Sequence, residues 1–116
     1  EWARRRAAIL DGMQAVMGPL PPPVAEPPEC RVLDEVDCGT YVRTLLTYTV
    51  DAGPPVPAYL LVPKRTATPG TRVPAVLCLH PTDHDIGHDV VVGLGGRANR
   101  AYAAELAARG CVTLAP

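Results

Sequence analysis

The sequence contains no serine and no phenylalanine, and it has one lysine among its 116 residues. The absence of serine excludes a serine nucleophile within these residues. Aromatic residues make up 4% of the chain, so we expect a core built from Ala, Val and Leu. No apolar run approaches the roughly 20 residues of a membrane-spanning helix. The formal net charge of −1 gives no electrostatic reason to expect nucleic acid or an anionic membrane as a partner.

The four cysteines show no CxxC spacing and are too sparse for a disulfide scaffold. Cys78 and Cys111 fall in apolar runs that predict buried strands, where a reduced thiol behaves as a small hydrophobic group. No apolar segment of a secretory signal follows the arginines at positions 4–6. Together these features favour a reducing, cytoplasmic location.

A chain of this length is one domain at most, and we divide it into an N-terminal part, 1–29, and an α/β part, 30–116. Apolar spacing predicts a helix over Trp2–Met17 that ends at Gly18 and Pro19. The prolines between positions 19 and 28 predict an extended connector. We interpret it as a stiff spacer that leads the helix onto a sheet, with a peptide-docking tract as the alternative.

The second part alternates between strands, loops and a helix. Its pattern predicts three antiparallel strands, over 31–37, 41–50 and 58–62, with a turn at 51–55. Ala75–Leu79 is a continuous apolar run, typical of a strand covered on both faces of a parallel sheet. Residues 100–109 predict a helix that ends at Gly110, and Val112–Ala115 predicts the next buried strand. The predicted fold class is therefore α/β, with antiparallel leading strands followed by parallel strands that a crossover helix joins.

The turn His80-Pro81-Thr82 directly follows the apolar run at Ala75–Leu79. Open α/β sheets bind ligands at the carboxyl ends of their strands. Because Pro81 has no backbone N–H, Thr82 supplies the first N–H beyond it that can point into such a crevice. One amide about 3 Å from a developing oxyanion contributes a few kcal/mol to transition-state stabilisation. The alternative is a histidine that only hydrogen-bonds the following loop.

Three histidines, His80, His84 and His88, have a spacing that would align them on one face of a helix for a metal. Pro81 and Gly87 favour a loop instead, where this spacing has no such meaning. We therefore expect structural or solvent-exposed histidines and no metal site.

The segment Gly93–Ala98 matches G-x-G-x-x-A, follows three valines and precedes the predicted helix, which is the setting of a dinucleotide fingerprint. However, the strong strand at Ala75–Leu79 lies upstream with its own turn, and the valine run is short and flanked by Asp89. The expected acidic ribose ligand, about 20 residues on, would fall at or past Pro116. We interpret the segment as a flexible active-site loop and expect no cofactor, with a dinucleotide-binding module as an alternative.

The remaining candidate nucleophiles are the threonines and four cysteines, Cys30, Cys38, Cys78 and Cys111. None of them lies in a G-x-[SC]-x-G elbow, the strained turn that exposes a nucleophile above a sheet. Nothing in these residues can complete a catalytic triad.

With these motifs, the chain resembles the N-terminal part of an α/β-hydrolase, and is most similar to dienelactone-hydrolase-like and acetyl-xylan-esterase-like carboxylesterases. The resemblance rests on four segments: Val56–Lys64, Pro74–His80, Gly93–Gly96 and Tyr102–Pro116. It implies that 30–116 is the N-terminal portion of an α/β-hydrolase domain, before the nucleophile elbow.

By this resemblance, His80-Pro81-Thr82 occupies the place of the family's His-Gly-X oxyanion turn, with Pro81 where the family has glycine. The resemblance implies that the backbone amide of Thr82 is an oxyanion donor. It implies that His80 supports the turn and is not the triad histidine. We expect the nucleophile, the acid and the catalytic histidine beyond Pro116.

The expected function is that of the N-terminal portion of a serine-type carboxylic-ester hydrolase, acting on a small-molecule ester by acyl transfer. We expect the full-length protein to be an enzyme and the 116-residue chain alone to be inactive. An unpaired apolar sheet edge predicts marginal stability or self-association for that chain. The alternatives are the dinucleotide-binding module at Gly93–Ala98 and a hydrolase-like module that has lost its chemistry.

Overall fold

The computed structural model describes residues 1–19, 22, 26–50, 53–66, 70, 72–96 and 98–116. These residues form two α-helices, α1 (Trp2–Met17) and α2 (Tyr102–Ala108), and five strands: β1 (Cys30–Asp37), β2 (Tyr41–Tyr48), β3 (Val56–Pro63), β4 (Ala75–Leu77) and β5 (Val112–Ala115). Two short 3-10 helices cover Lys64–Thr66 and Gly87–Val90. The predicted α/β class is confirmed. Neither α-helix in the described part is both long and apolar enough to span a membrane.

The strands form one mixed sheet in the order β1-β2-β3-β5-β4. The strands β1, β2 and β3 pair antiparallel, and β3 is also antiparallel to β5. Strand β4 pairs parallel with β5, and α2 lies between them in sequence. Strand β3 extends beyond the predicted range 58–62 because it pairs with β2 along its whole length, from Tyr48↔Val56 to Tyr41↔Pro63. Residues 51 and 52 of the predicted turn lie outside the described residues.

The core lies between one face of the sheet and a layer formed by α2 and residues 86–92. Its buried residues are alanine, valine and leucine, as the composition predicts, with one cysteine and one tyrosine: Tyr59, Leu61, Cys78, Val90, Val91, Val92, Ala103, Ala107 and Ala115. Helix α2 ends at the expected glycine, since Gly110 has φ +102° and its N–H donates to the carbonyl of Ala107 at 3.0 Å. The N–H of Cys111 donates to the carbonyl of Leu106, which completes a Schellman motif.

The prediction for the strand at Ala75–Leu79 was wrong in length and burial. Strand β4 has three residues and lies at the edge of the sheet, where β5 is its one partner among the described strands. The side chain of Leu77 is 60% exposed, because it points to the sheet face opposite α2, over which no described helix packs. Cys78 is buried as predicted, whereas Cys111 is half-buried and precedes β5 rather than lying in it.

Helix α1 has the predicted bounds, and Gly18, with φ +84°, ends it by donating its N–H to the carbonyl of Gln14. The expectation that the connector leads this helix onto the sheet was wrong, since every residue of α1 is exposed. Arg6 lies within the apolar stripe between Trp2 and Ile9, and burying an unpaired guanidinium is costly. Residues 20, 21 and 23–25 of the connector lie outside the described residues.

Candidate functional site

The candidate site is the turn at residues 79–83, which leaves the sheet at the carboxyl end of β4. The N–H of Cys78 donates to the carbonyl of Leu114 at 2.7 Å, so the sheet ladder continues to one residue before the turn. Because β4 and β5 are parallel, the carboxyl end of β5 lies beside the carboxyl end of β4. Residues 80 and 82 are exposed and residue 81 is half-buried. The turn is therefore at the sheet edge where ligands bind in open α/β folds.

A hydrogen bond within the turn fixes the direction of the Thr82 amide. The Nδ1 atom of His80 lies 2.8 Å from the carbonyl oxygen of Pro81. A carbonyl oxygen only accepts, so Nδ1 holds the proton and donates it. In a trans peptide the C=O and the following N–H point in opposite directions, so the N–H of Thr82 points away from the His80 ring. This N–H has no hydrogen-bond partner among the described residues.

Asp83 shapes the backbone that follows the turn. Its Oδ1 atom accepts the N–H of Asp85 at 3.1 Å and the N–H of Ile86 at 3.2 Å. These two bonds are typical of an Asx turn, in which a short carboxylate replaces a backbone acceptor. The chain is thereby directed from the exposed Thr82 back into the core at Val90.

Helix α2 also contacts the turn. The hydroxyl of Tyr102, the first residue of α2, donates to the carbonyl oxygen of Leu79. The helix itself is joined to the sheet, because the Oγ1 of Thr113 donates to the carbonyl of Ala103 at 3.2 Å. The sequence pattern did not predict the contact between Tyr102 and Leu79. The one sequence signal for this contact was a tyrosine at the start of the helix that follows β4.

Two of the three histidines are brought together, without a metal-binding arrangement. The rings of His80 and His88 lie 6.3 Å apart between centroids, and His84 is exposed in a turn. The ring of His88 makes an edge-to-face contact with Tyr59 at 5.0 Å. No group of three or more potential metal ligands is present among the residues that the structure describes.

Tyr59 belongs to the core and connects it to the rings of His88 and His80. Burial, followed by a hydrogen bond with Asp89, raises the pKa of the Tyr59 hydroxyl above its ordinary value. Arg43 lies over the Tyr59 ring, 5.9 Å from its centroid. The alternation of β3 signals that Tyr59 faces the core, but no local pattern signals its contact with His88.

The glycine segment does not have the setting of a dinucleotide site. Val90 belongs to a 3-10 helix and the next residues form a turn, so no strand precedes the glycines. The N–H groups of Ala103 and Ala104 donate to the carbonyl of Val91 at 3.0 and 3.4 Å. A pyrophosphate would need such N–H groups at the start of the helix, and these two are occupied. Arg97 lies outside the described residues.

Gly95 has a packing role in this segment. A Cβ atom added at Gly95 would lie 2.6 Å from the Cδ1 of Ile86 and 2.9 Å from the Cα of Val90. Only glycine therefore allows this close approach of the segment to the core. Packing therefore explains one glycine of the motif, Gly95.

Comparison of the chain with protein-family models, curated proteins and solved structures found no match. Any functional proposal therefore depends on the geometry of the turn and on the motifs of the sequence.

Two clefts in the described structure lie away from the turn. A cleft of about 490 Å³ lies between residues 26–29 and residues 48–50 at the end of β2. A second cleft of about 290 Å³ follows the C-terminal half of α1 and is lined mainly by apolar side chains. Neither of these two clefts is lined by His80 or Thr82.

The cysteine nearest the turn in sequence is poorly suited to act as a nucleophile. Cys78 is 2% exposed, and burial, followed by the neighbouring Cys111, raises the pKa of its thiol. A raised pKa lowers the thiolate fraction, which is the reactive form. Cys30 is exposed, but it lies at the start of β1, at the opposite edge of the sheet from β4. Neither Cys78 nor Cys30 therefore combines a reactive thiol with a position at the turn.

Proposed function

We propose that this chain is the N-terminal portion of a serine-type carboxylic-ester hydrolase of the α/β-hydrolase superfamily and supplies its oxyanion turn. The main support is the backbone N–H of the exposed residue Thr82, beyond the carboxyl end of β4, which has no hydrogen-bond partner among the described residues and which the hydrogen bond from His80 to Pro81 orients. The sheet gives further support, because antiparallel leading strands precede a parallel pair flanking a helix, as the resemblance implies.

The proposed mechanism is nucleophilic acyl transfer to a serine outside this sequence. That serine attacks the carbonyl carbon of a small-molecule ester, and negative charge develops on the carbonyl oxygen. The N–H of Thr82 donates a hydrogen bond to this oxygen, together with the amide that follows the nucleophile. The intermediate then collapses, the alcohol leaves, and water releases the acid from the acyl-enzyme.

Pro81 suits this role although the family has glycine at its position. Its ring fixes φ near −65° and removes one backbone torsion from the turn. Its carbonyl oxygen still accepts a hydrogen bond from the Nδ1 of His80, and that bond sets the plane of the Thr82 amide. His80 is therefore a supporting residue of the turn in this proposal, and it exchanges no proton with substrate.

The first test is the intact mass of the natural gene product after exposure to a fluorophosphonate. We expect a protein of about two to three times this length, consistent with one whole domain, that gains one adduct. A 12.3 kDa product without an adduct would overturn the proposal. The isolated chain should show no esterase turnover in either case.

The second test removes the proposed donor atom itself. Thr82→Pro deletes the backbone N–H, whereas the matched control Thr82→Ala keeps it and removes only the side chain. In the natural gene product we expect Thr82→Pro to lower kcat by about 10²-fold or more with little change in KM, as for other oxyanion donors. Thr82→Ala should remain close to wild type. Equal kcat values for the two variants would show that the amide has no catalytic role.

A further inference from the structure

We propose that Tyr102 is a positioning residue for the Thr82 amide, because its hydroxyl fixes the peptide plane from which the oxyanion turn begins. The catalytic consequence of this inference rests on the proposed function. The positioning itself rests only on contacts within the described structure.

Leu79 needs an external contact to hold it in place. Sheet hydrogen bonding reaches Cys78, whose N–H donates to Leu114, and Leu79 is the next residue. Leu79 is 65% exposed and gives the turn little packing. The Tyr102 hydroxyl, which donates to the Leu79 carbonyl, supplies the missing contact.

Tyr102 is itself held firmly, so it can act as a fixed reference for the turn. Its ring packs against the core cluster, and the next residue of α2, Ala103, is fully buried. The carbonyl of Ala103 accepts the hydroxyl of Thr113, which joins the start of α2 to β5. The helix start is also bonded to Val91. The position of the Tyr102 hydroxyl is thus set by the sheet and the core rather than by the turn.

Two successive hydrogen bonds then determine the direction of the Thr82 amide. The Leu79 carbonyl and the His80 N–H share one planar peptide unit, so the Tyr102 hydroxyl orients the backbone of His80. The ring of His80 orients the peptide unit that joins Pro81 to Thr82, because it donates to the carbonyl of Pro81. Without the hydrogen bond from Tyr102 to Leu79, the backbone of His80 is free to rotate. The hydrogen bond from His80 to Pro81 then no longer fixes the direction of the Thr82 amide.

The inference can be tested by NMR order parameters of the Thr82 N–H in the natural gene product. We expect a value near 0.85 in the wild type and below about 0.6 in Tyr102→Phe, which keeps the ring but removes the hydroxyl. The amides of residues 103–107 should stay ordered in this variant. Tyr48→Phe, on β2 and three positions from β4 in the strand order of the sheet, is the matched control and should change neither region.

The kinetic test uses the same variants. We expect Tyr102→Phe to lower kcat by about tenfold with little change in KM, because a misplaced donor weakens only the transition-state interaction. An ordered Thr82 amide in Tyr102→Phe would overturn the inference. A disordered amide with unchanged kcat would support the positioning role and would instead contradict the proposed function of Thr82.

If Tyr102→Phe does not fold, Tyr102→Leu provides a second variant without the hydroxyl. A loss of order over residues 103–107 in both variants, with Tyr48→Phe unaffected, would show that the hydroxyl supports the fold as a whole. That result would also overturn a specific positioning role.

Discussion

Replacing Gly95 by alanine should destabilise the folded protein, because the new methyl group has no space. It would lie 2.9 Å from the Cα of Val90 and 3.1 Å from its Cβ. The Cδ1 of Ile86, at 2.6 Å, can turn aside, but a backbone atom cannot move without displacing the buried valines at 90–92.

The expected cost is about 2 kcal/mol, which is typical of overpacking in a well-packed core. For a domain of this size, that cost corresponds to a fall in Tm of roughly 10 °C. The matched control is Gly12→Ala in α1, where no atom lies within 4 Å of the added Cβ. Because α1 is exposed and alanine is the better helix former, the control should leave the Tm unchanged or slightly higher.

The assay is thermal unfolding followed by circular dichroism, with and without saturating NAD. An unchanged Tm for Gly95→Ala would refute the packing role of this glycine. A rise in wild-type Tm with NAD, abolished by the substitution, would favour the dinucleotide-binding alternative, since a ligand of the native state raises its stability.

Two further predictions concern the ion pair between Lys64 and Asp37 and the edge strand β4. The Nζ of Lys64, 2.6 Å from the Oδ1 of Asp37, and then the N–H of Gly39 lower the pKa of the Asp37 carboxyl below 3.8. The ion pair therefore stabilises the fold fully above that value, and this stabilisation is lost as pH falls through the lowered pKa. Asp37→Asn should reduce the Tm at about pH 7, and the difference from wild type should shrink as pH falls below 3.8. A difference independent of pH would contradict this. Leu77→Lys should reduce self-association in sedimentation velocity, because a charge on the β4 edge opposes strand pairing. Val16→Lys, on α1 and 89% exposed, is its control, and an equal effect of both would exclude the edge as the cause.

Elements whose limits are set by neighbouring residues were predictable from the sequence. Helix α1 has its predicted bounds because Gly18 adopts a positive φ directly after it, and Gly110 does the same after α2. That the chain leaves the sheet before His80 was predictable for a similar reason, since an apolar run followed by His-Pro ends a strand locally, although β4 ends two residues earlier than predicted, at Leu77.

Features that depend on distant partners were not predictable in the same way. The length of β4 depends on its register with β5, from Ala75↔Val112 to Leu77↔Leu114, which no local pattern contains. The three valines at 90–92 have strand propensity, yet they are buried at the end of a 3-10 helix and in the turn after it, because Gly95 lets the segment fold back on them. The contact of Tyr102 with Leu79 likewise joins residues that only the crossover brings together.

The carbonyl of Val91, which accepts the N–H groups of Ala103 and Ala104, makes the preceding loop the N-terminal cap of α2. A helix of seven residues is too short to be stable on its own, so it forms only when this loop has closed. The loop, the helix and the adjoining core then open and close as one cooperative unit. Surface loops usually tolerate insertions. An insertion between Gly93 and Ala101 would instead separate the helix from its cap and unfold the layer that covers the sheet.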